Sequence, residues 1–193
     1  MQTAPQPTRY GGVAQTFHWV VAALVVLQFL LAPIPENLPP GIHVNPPFGL
    51  DKPGLLARHK SFGMTVLMLM MARALWRWRN APPCLPETMK PALRFLAWAT
   101  HLAFYVILIA MPMSGWMMTS ARGASVRWFG LWTWPSLIGQ NEQAFRLWRA
   151  THGTLSRVLF VLASLHVAAA LKHHFWNKDA VLMRMLSFGR SAK

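Results

Sequence analysis

The sequence predicts an all-α protein, a bundle of four transmembrane helices, and three observations support this fold class. Hydrophobic residues make up 54% of the chain and charged residues only 12%, against about 25% charged residues in ordinary soluble domains. Four apolar runs have about the length, roughly 20 residues, that a helix needs to cross a bilayer. Segments rich in proline or tryptophan separate these runs, and the length of 193 residues suits a single domain.

The first half of the chain is predicted to hold two of these helices. Residues 1–16 form a polar N-terminal lead, and the first helix covers about residues 17–34. Prolines are so frequent in residues 35–58 that we expect a loop there, because proline removes a backbone donor and clashes with the preceding turn. The second helix covers about residues 59–78, and the arginines and tryptophans at its C-terminal end indicate a membrane interface.

The second half is predicted to hold a third helix over about residues 93–118 and a fourth over about 150–176, so that the membrane domain covers residues 17–176. The tryptophan-rich loop between these helices is expected at the membrane interface. A basic tail, residues 177–193, follows. With the termini inside, the inner segments carry eleven of the 19 Lys and Arg residues and the outer segments eight, so the positive-inside rule predicts that both termini are cytoplasmic.

Charge and cysteine content exclude several classes of protein. The formal net charge is +14, but the apolar runs and the absence of a lysine-rich stripe exclude a nucleic-acid-binding protein. The expected partner of the basic residues is instead membrane lipid. Cys84 is the single cysteine, which excludes an internal disulfide and any CxxC zinc or iron–sulfur motif.

Five histidines fall at two depths of the predicted bundle. His152 and His166 are 14 residues apart on the fourth helix, a distance of about 21 Å and almost four turns, so both lie on one face. His59 starts the second helix at the outer level of His152, whereas His18 and His101 share the inner level with His166. Because polar groups within a bilayer are costly and usually functional, two levels of histidine indicate two stacked cofactor sites.

Haem suits these histidines better than zinc does. Imidazole is a common axial haem ligand, and facing side chains of a helix bundle are a natural place for the ring. Structural zinc needs four close ligands, often including cysteine, whereas these histidines are spread over different helices. Each histidine alone is explained more simply as a hydrogen-bonded residue at a helix end. At the inner level the residues leave open whether His18 or His101 pairs with His166.

Five segments of the chain together resemble the bacterial cytochrome b561 family, compact four-helix dihaem b proteins related to the cytochrome b subunits of formate dehydrogenases and nickel hydrogenases. The segments are FHW at 17–19, RHKSFG at 58–63, HLAFYVILIAMPMSGW at 101–116, WRATHG at 148–153 and LHVAAALKHHFW at 165–176. The resemblance implies two haem b groups between the helices. It implies that His18 and His166 hold the inner one, that His59 and His152 hold the outer one, and that the protein lies in a bacterial inner (plasma) membrane.

Within the family, the LKHHFW segment and the RG…WFGL loop resemble the stand-alone superoxide oxidase type. This resemblance implies electron transfer from periplasmic superoxide to ubiquinone, with His101 and His173 near the quinone. Independently, His173 lies two turns beyond His166 on nearly the same face, where a histidine can hydrogen-bond a quinone oxygen and supply a proton. Lys172 is a further candidate. The alternative for Lys172 and His173 is a basic cluster that reaches toward lipid headgroups.

Arginines on the outer side suggest two further roles. Arg157 is just over one turn beyond His152 and suits neutralisation of a haem propionate. The other basic residues of the outer loop and of the segment after it suit steering of a small anion toward the outer haem. These residues are Arg122, Arg127, Arg146 and Arg149. Binding of lipid headgroups is the alternative for each of them.

The predicted function is that of a superoxide:quinone oxidoreductase whose side chains do no covalent chemistry, because the protein supplies positioning, tuning of potentials and access for protons. The alternative is a haem b electron-relay and membrane-anchor subunit for a periplasmic dehydrogenase or cytochrome. A third hypothesis is a zinc protein or metal transporter of the membrane, which would contain zinc and lack the absorption bands of haem.

Overall fold

The computed structural model of the chain describes residues 9–31, 52–81, 83, 91–179 and 181–186. Four long helices dominate it. They are α1 (Gly12–Leu31), α2 (Lys52–Arg79), α3 (Pro91–Ala121) and α4 (Glu142–Phe175). Three short elements complete the described chain. They are the strands β1 (Val126–Trp128) and β2 (Trp132–Trp134), which lie between α3 and α4, and the one-turn helix α5 (Met183–Leu186).

Three helices begin well before their predicted first residues, and α1 is one of them, since it begins at Gly12 rather than at about residue 17. α2 begins at Lys52 rather than at about residue 59, and Pro53 is tolerated because it lies in the first turn, where a backbone N–H has no helical partner. α4 begins at Glu142 because Asn141 caps it, its side-chain oxygen accepting from the N–H of Ala144 at 2.9 Å. The predicted N-terminal lead is therefore wrong for residues 12–16, and the predicted loops are wrong for residues 52–58 and 142–149. Residues 32–51 lie outside the described part of the chain.

Among the described helices, α1, α3 and α4 are long and apolar enough to cross a membrane. α2 is not one of these three, and Lys60 and Arg73 confine its uncharged stretch to residues 61–72. α2 nevertheless packs against both α1 and α3. The fourth membrane span therefore stays a prediction.

A hydrophobic core joins the four long helices midway along the bundle. Its buried members are Val21 of α1, Val66 and Met70 of α2, Ile107 and Leu108 of α3, and Leu159 of α4. The helices pack in chain order, α1 on α2, α2 on α3, and α3 on α4. Close backbone approaches between α1 and α4 and between α2 and α4 are far fewer in the described residues. These two helix pairs are therefore spaced more widely than the neighbours.

The β1–β2 hairpin folds back onto the end of the bundle that holds His59 and His152, which we call the outer end. Val126 is 2% exposed and packs against α2. Phe129 and Gly130 at the turn have positive φ angles of 46° and 76°, which tight hairpin turns require. Buried Ser61 of α2 accepts a hydrogen bond from the N–H of Phe129 at 3.0 Å. The hairpin is thereby fixed against α2.

At the opposite, inner end the chain beyond α4 folds back onto α1. Nε2 of Gln15 donates to the carbonyls of Tyr10 at 3.0 Å and Arg184 at 3.1 Å. Nε1 of Trp19 donates to the carbonyl of Met185 at 2.8 Å. Part of the segment predicted as a basic tail is therefore a docked element, because two side chains of α1 bind its carbonyl groups.

Candidate functional site

The inner end of the bundle brings three histidines together from three helices. The ring centroid of His166 on α4 lies 6.4 Å from that of His18 on α1 and 6.1 Å from that of His101 on α3. Two aromatic rings contact this cluster edge-on, Phe104 against His166 and Trp19 against His18, both at 5.1 Å. The three histidines predicted to share one depth are therefore neighbours, and the distances favour neither His18 nor His101 as the partner of His166.

The outer end holds a second pair, His59 on α2 and His152 on α4, with ring centroids 6.2 Å apart. Nδ1 of His152 lies 3.0 Å from the hydroxyl oxygen of Ser114 and 3.2 Å from the carbonyl oxygen of Met111. The Ser114 hydroxyl donates to the same Met111 carbonyl at 2.6 Å. A carbonyl acceptor favours the proton on Nδ1 of His152, which leaves the lone pair on Nε2, the form in which imidazole binds a metal.

Glycine allows α3 to approach the outer histidine closely. A Cβ atom at Gly115 would lie 3.2 Å from Cε1 and 3.4 Å from Nδ1 of His152. By contrast, a Cβ atom at Gly153, the residue after His152, would have nothing within 4 Å. Gly115 therefore leaves room for the ring of His152, whose Nδ1 lies within hydrogen-bond distance of Ser114 and of the Met111 carbonyl on the same helix.

The outer pair and both inner pairings, His18 or His101 with His166, have the spacing that a metal ion between two imidazoles requires. Metal–nitrogen bonds of about 2.0 Å, with about 1.1 Å from each nitrogen to its ring centre, place two trans imidazole centroids about 6 Å apart. The pair of His18 with His166 and the outer pair also connect the helices that are spaced more widely, α1 with α4 and α2 with α4. Leu159, halfway along α4 between the two levels, belongs to the core that separates them. The residues present therefore fit one haem b at each level.

A cleft of about 200 Å³ opens beside the inner histidines. Its lining residues are Ala74, Arg77, Trp98, His101, Leu102 and Tyr105. The guanidinium groups of Arg73 and Arg77 lie 5.6 and 5.8 Å from the centre of the Tyr105 ring. Among the residues predicted to bind quinone, His101 lines this cleft, whereas His173 and Lys172 are not among the lining residues.

His173, at the end of α4, is bound to the segment that follows. Its Nδ1 lies 2.5 Å from a carboxylate oxygen of Asp179, and the other carboxylate oxygen accepts from the N–H of Val181 at 3.0 Å. Burial acts to raise the pKa of Asp179, but the hydrogen bonds from His173 and Val181 outweigh it and hold this pKa below its ordinary value. Lys172 beside it is exposed. His173 therefore has a carboxylate partner at the inner end of the bundle.

Two of the predicted outer arginines lie near the hairpin. Arg127 of β1 lines a cleft of about 470 Å³ together with Arg58 and Ser61 of α2. The guanidinium group of Arg122 lies 4.4 Å above the ring of Phe145, where a cation is attracted by the aromatic face. The outer cleft is thus bordered by two cations, one of which, Arg58, directly precedes His59 in the sequence.

The remaining predicted arginines lie on the surface of α4. Arg146 and Arg149 belong to its first turns and not to a loop, and Arg146 forms an exposed ion pair with Glu142 at 3.5 Å. Arg157 donates to the hydroxyl of Thr154 at 3.3 Å and is exposed. None of these three is among the residues that line the outer cleft.

Sequence reasoning missed several polar residues around the histidines, notably Ser114, Arg58 and Gln28. Gln28 of α1 donates from Nε2 to the carbonyl of His59 at 3.0 Å. It is the only amide or charged side chain in the stretch 19–31, and a polar residue within an apolar run is a signal that could have identified it. Arg58 could have been identified from its position immediately before His59.

Apolar helices that bring histidines face to face across a bundle are the arrangement of membrane cytochromes of the b type. The sequence profile of the family described as prokaryotic cytochrome b561 matches residues 9–188. The chain belongs to this family, as the sequence segments predicted. Its members are membrane electron-transfer proteins that bind haem b, and the chain is accordingly a bacterial membrane protein.

Two relatives cover nearly the whole chain. "Cytochrome b561 homolog 2" of Escherichia coli (strain K12) is 32% identical over 182 residues, which are 93% of this chain and 92% of the relative. "Probable superoxide oxidase CybB" of Yersinia pestis is 29% identical over 178 residues, which are 92% of this chain and 96% of the relative. The similarity therefore includes both histidine levels.

Proposed function

We propose that this protein oxidises superoxide at the outer face of the bacterial inner membrane and passes the electrons through two haems b to ubiquinone at the inner face, with both chain termini in the cytoplasm. Two superoxide anions lose one electron each and become O₂. Ubiquinone takes up the two electrons and two protons and becomes ubiquinol. The observation that carries this proposal is the presence of two histidine pairs, with ring separations of 6.4 and 6.2 Å, at the two ends of one hydrophobic core.

In this proposal His18 and His166 hold the inner haem, and His59 and His152 hold the outer one. Bound haem b supplies one-electron redox chemistry. With two histidines at each site, bound haem would favour electron transfer over oxygen binding. The hydrogen bond from His152 to the Met111 carbonyl supports the ligand role, because metal-bound histidines usually donate their other ring N–H to an acceptor.

The outer cleft supports an anionic donor. Arg58 and Arg127 border a space of about 470 Å³ next to the helix turn that carries His59. A cleft lined by one sign of charge raises the local concentration of an oppositely charged substrate. Arg122, Arg146 and Arg149 extend the basic outer surface, and Arg157 is assigned to a haem propionate.

The inner cleft supports a quinone acceptor beside His101. Trp98 and Tyr105 offer aromatic faces for a flat headgroup, and Arg77 offers a cation that favours negative charge on a reduced quinone oxygen. His173, with Asp179 as its partner, and Lys172 would bring protons from the inner aqueous side, because both residues lie in the last turn of α4 at that end of the bundle.

The electron-relay subunit is the second candidate, and the hairpin tip favours it. Leu131 is 81% exposed and Trp132 is 61% exposed, so an apolar tip protrudes from the outer end. Such a tip suits a partner protein as well as a lipid surface. A stoichiometric periplasmic partner that purifies with the protein would favour this candidate.

Stopped-flow visible spectroscopy of the purified protein tests the proposal. Superoxide should reduce the haems quickly, and added ubiquinone should then reoxidise them. A haem spectrum that superoxide leaves unchanged would favour the relay subunit. Zinc in the protein without a Soret band would refute both candidates and favour the metal-binding hypothesis.

A further inference from the structure

We infer that Gln28 is a positioning residue for the outer site, and that its side-chain oxygen accepts the Nδ1 proton of His59, directly or through one buried water molecule. This inference rests on the proposed function, in which His59 is an axial ligand of the outer haem. It concerns a residue of α1, a helix that contributes no ligand at the outer level in the proposed function.

The geometry brings Gln28 to His59 through the backbone. Nε2 of Gln28 donates to the carbonyl oxygen of His59 at 3.0 Å. The contact depends on Gly63, one turn further along α2, because a Cβ atom there would lie 3.1 Å from the same Nε2. The side-chain amide of Gln28 is therefore pressed against the helix turn that carries His59.

Among the described residues, neither Oε1 of Gln28 nor Nδ1 of His59 has a hydrogen-bond partner, although both atoms are buried. One is an acceptor, and the other is a donor when Nε2 of the imidazole carries the lone pair. Buried polar atoms are rarely left unpaired, because they have lost their hydrogen bonds to water without gaining a partner in the protein. Because a hydrogen bond already joins Gln28 to the backbone of His59, pairing of these two atoms, directly or through one water molecule, would satisfy both.

His152 supports the same conclusion from across the site. Its Nδ1 is within hydrogen-bond distance of Ser114 and of the Met111 carbonyl, so the second ring nitrogen already has an acceptor. With Gln28 as the acceptor for His59, both rings of the outer pair would direct Nε2 toward the iron. An acceptor on the second nitrogen also raises the basicity of the ligand, which stabilises the oxidised iron and lowers the reduction potential.

The test is a redox titration of the haems in variants at residue 28. Gln28→Met keeps a long side chain of similar shape and removes the acceptor, and Gln28→Glu keeps an acceptor oxygen. We expect Gln28→Met to shift the midpoint potential of the outer haem upward and to leave the inner haem unchanged. Gln28→Glu should keep the wild-type potential or lower it. The outer potential is assigned from His166→Ala, which is expected to retain only the outer haem.

Gln15 provides the matched control, because it is a second buried glutamine on α1 and binds carbonyls at the inner end. Gln15→Met should leave the outer potential unchanged. An unchanged outer potential in Gln28→Met, with both haems bound, would overturn the inference. Loss of the outer haem from Gln28→Met but not from Gln28→Glu would support it, whereas loss from both variants would indicate packing and overturn it. A wild-type protein without haem would instead refute the proposed function.

Discussion

Replacement of Gly115 by alanine tests how closely α3 constrains the outer site. The added Cβ would lie 3.2 Å from Cε1 and 3.4 Å from Nδ1 of His152, whereas carbon atoms at optimal contact are about 3.5–4.0 Å apart. The ring must therefore move by a few tenths of an ångström. Its hydrogen bonds of 3.0 and 3.2 Å to Ser114 and Met111 oppose that movement, because they tie the same ring edge to α3.

Overpacking a well-packed site destabilises it by about 1–3 kcal/mol, and we expect a loss of this size in the binding free energy of the outer haem. Since about 1.4 kcal/mol corresponds to a tenfold change in affinity, the outer haem should be held roughly 5- to 150-fold less tightly in Gly115→Ala. The inner haem should be retained, because its ligands lie on the far side of the hydrophobic core.

The assay is the number of haems per chain in the purified variant, followed during dilution or competition with a haem-binding protein. Gly153→Ala is the matched control, because it makes the same gain in helix propensity next to His152 while its Cβ has nothing within 4 Å. We expect the control to keep both haems. Equal retention of the outer haem in the two variants would refute the reasoning.

Three further predictions concern the substrates and the inner end. Raising the ionic strength from 0.01 to 1 M shortens the electrostatic screening length from about 30 to about 3 Å. The rate at which superoxide reduces the haems should therefore fall as salt is added, and Arg127→Gln should weaken this dependence. A reduction rate that does not change with salt would contradict electrostatic steering. His101→Ala should slow reoxidation by ubiquinone while both haems and the reduction by superoxide are retained; unchanged reoxidation in stopped flow would move the quinone site away from the inner cleft. The ionised carboxylate of Asp179 stabilises the docked C-terminal segment, and the pKa of Asp179 is lowered in the folded state. This stabilisation is therefore fully present above the pKa of an unfolded aspartate, about 4. It is lost as the pH falls through the lower pKa of the folded state. The amides of residues 181–186 should therefore exchange more slowly in wild type than in Asp179→Asn at pH 6, and this difference should vanish at low pH. A difference that persists or grows on acidification would contradict the sign of this reasoning.

The histidine levels could be predicted from the sequence because helix geometry and bilayer thickness leave little freedom. The separation of 14 positions between His152 and His166 places both on one face of a helix, and the apolar run between them is long enough for a membrane helix. The ends of the other helices then assign His59 to one level and His18 to the other. The structure places both pairs close together. His101 lies as close to His166 as His18 does, so the choice of the inner ligand came from family resemblance alone.

Contacts between distant segments could not be predicted, because nothing in the local sequence indicates them. Trp19 binds the carbonyl of Met185, and Ser61 holds the hairpin turn at Phe129. Each pair joins residues that are far apart in the sequence, whereas hydrophobic periodicity describes only one helix or strand at a time. The early start of α2 could not be predicted from proline content. Prolines are frequent in residues 35–58, but Pro53 lies in the first turn of α2, where a helix tolerates proline.

The most direct test of the two-haem proposal is the number of haems b per chain in wild type, His152→Ala and His166→Ala. We expect two haems in wild type and one in each variant, with the remaining haems differing in midpoint potential because they occupy different levels. Two haems in either variant would contradict the assignment of that histidine as an axial ligand. A wild-type chain that binds a single haem would contradict the two-level arrangement itself.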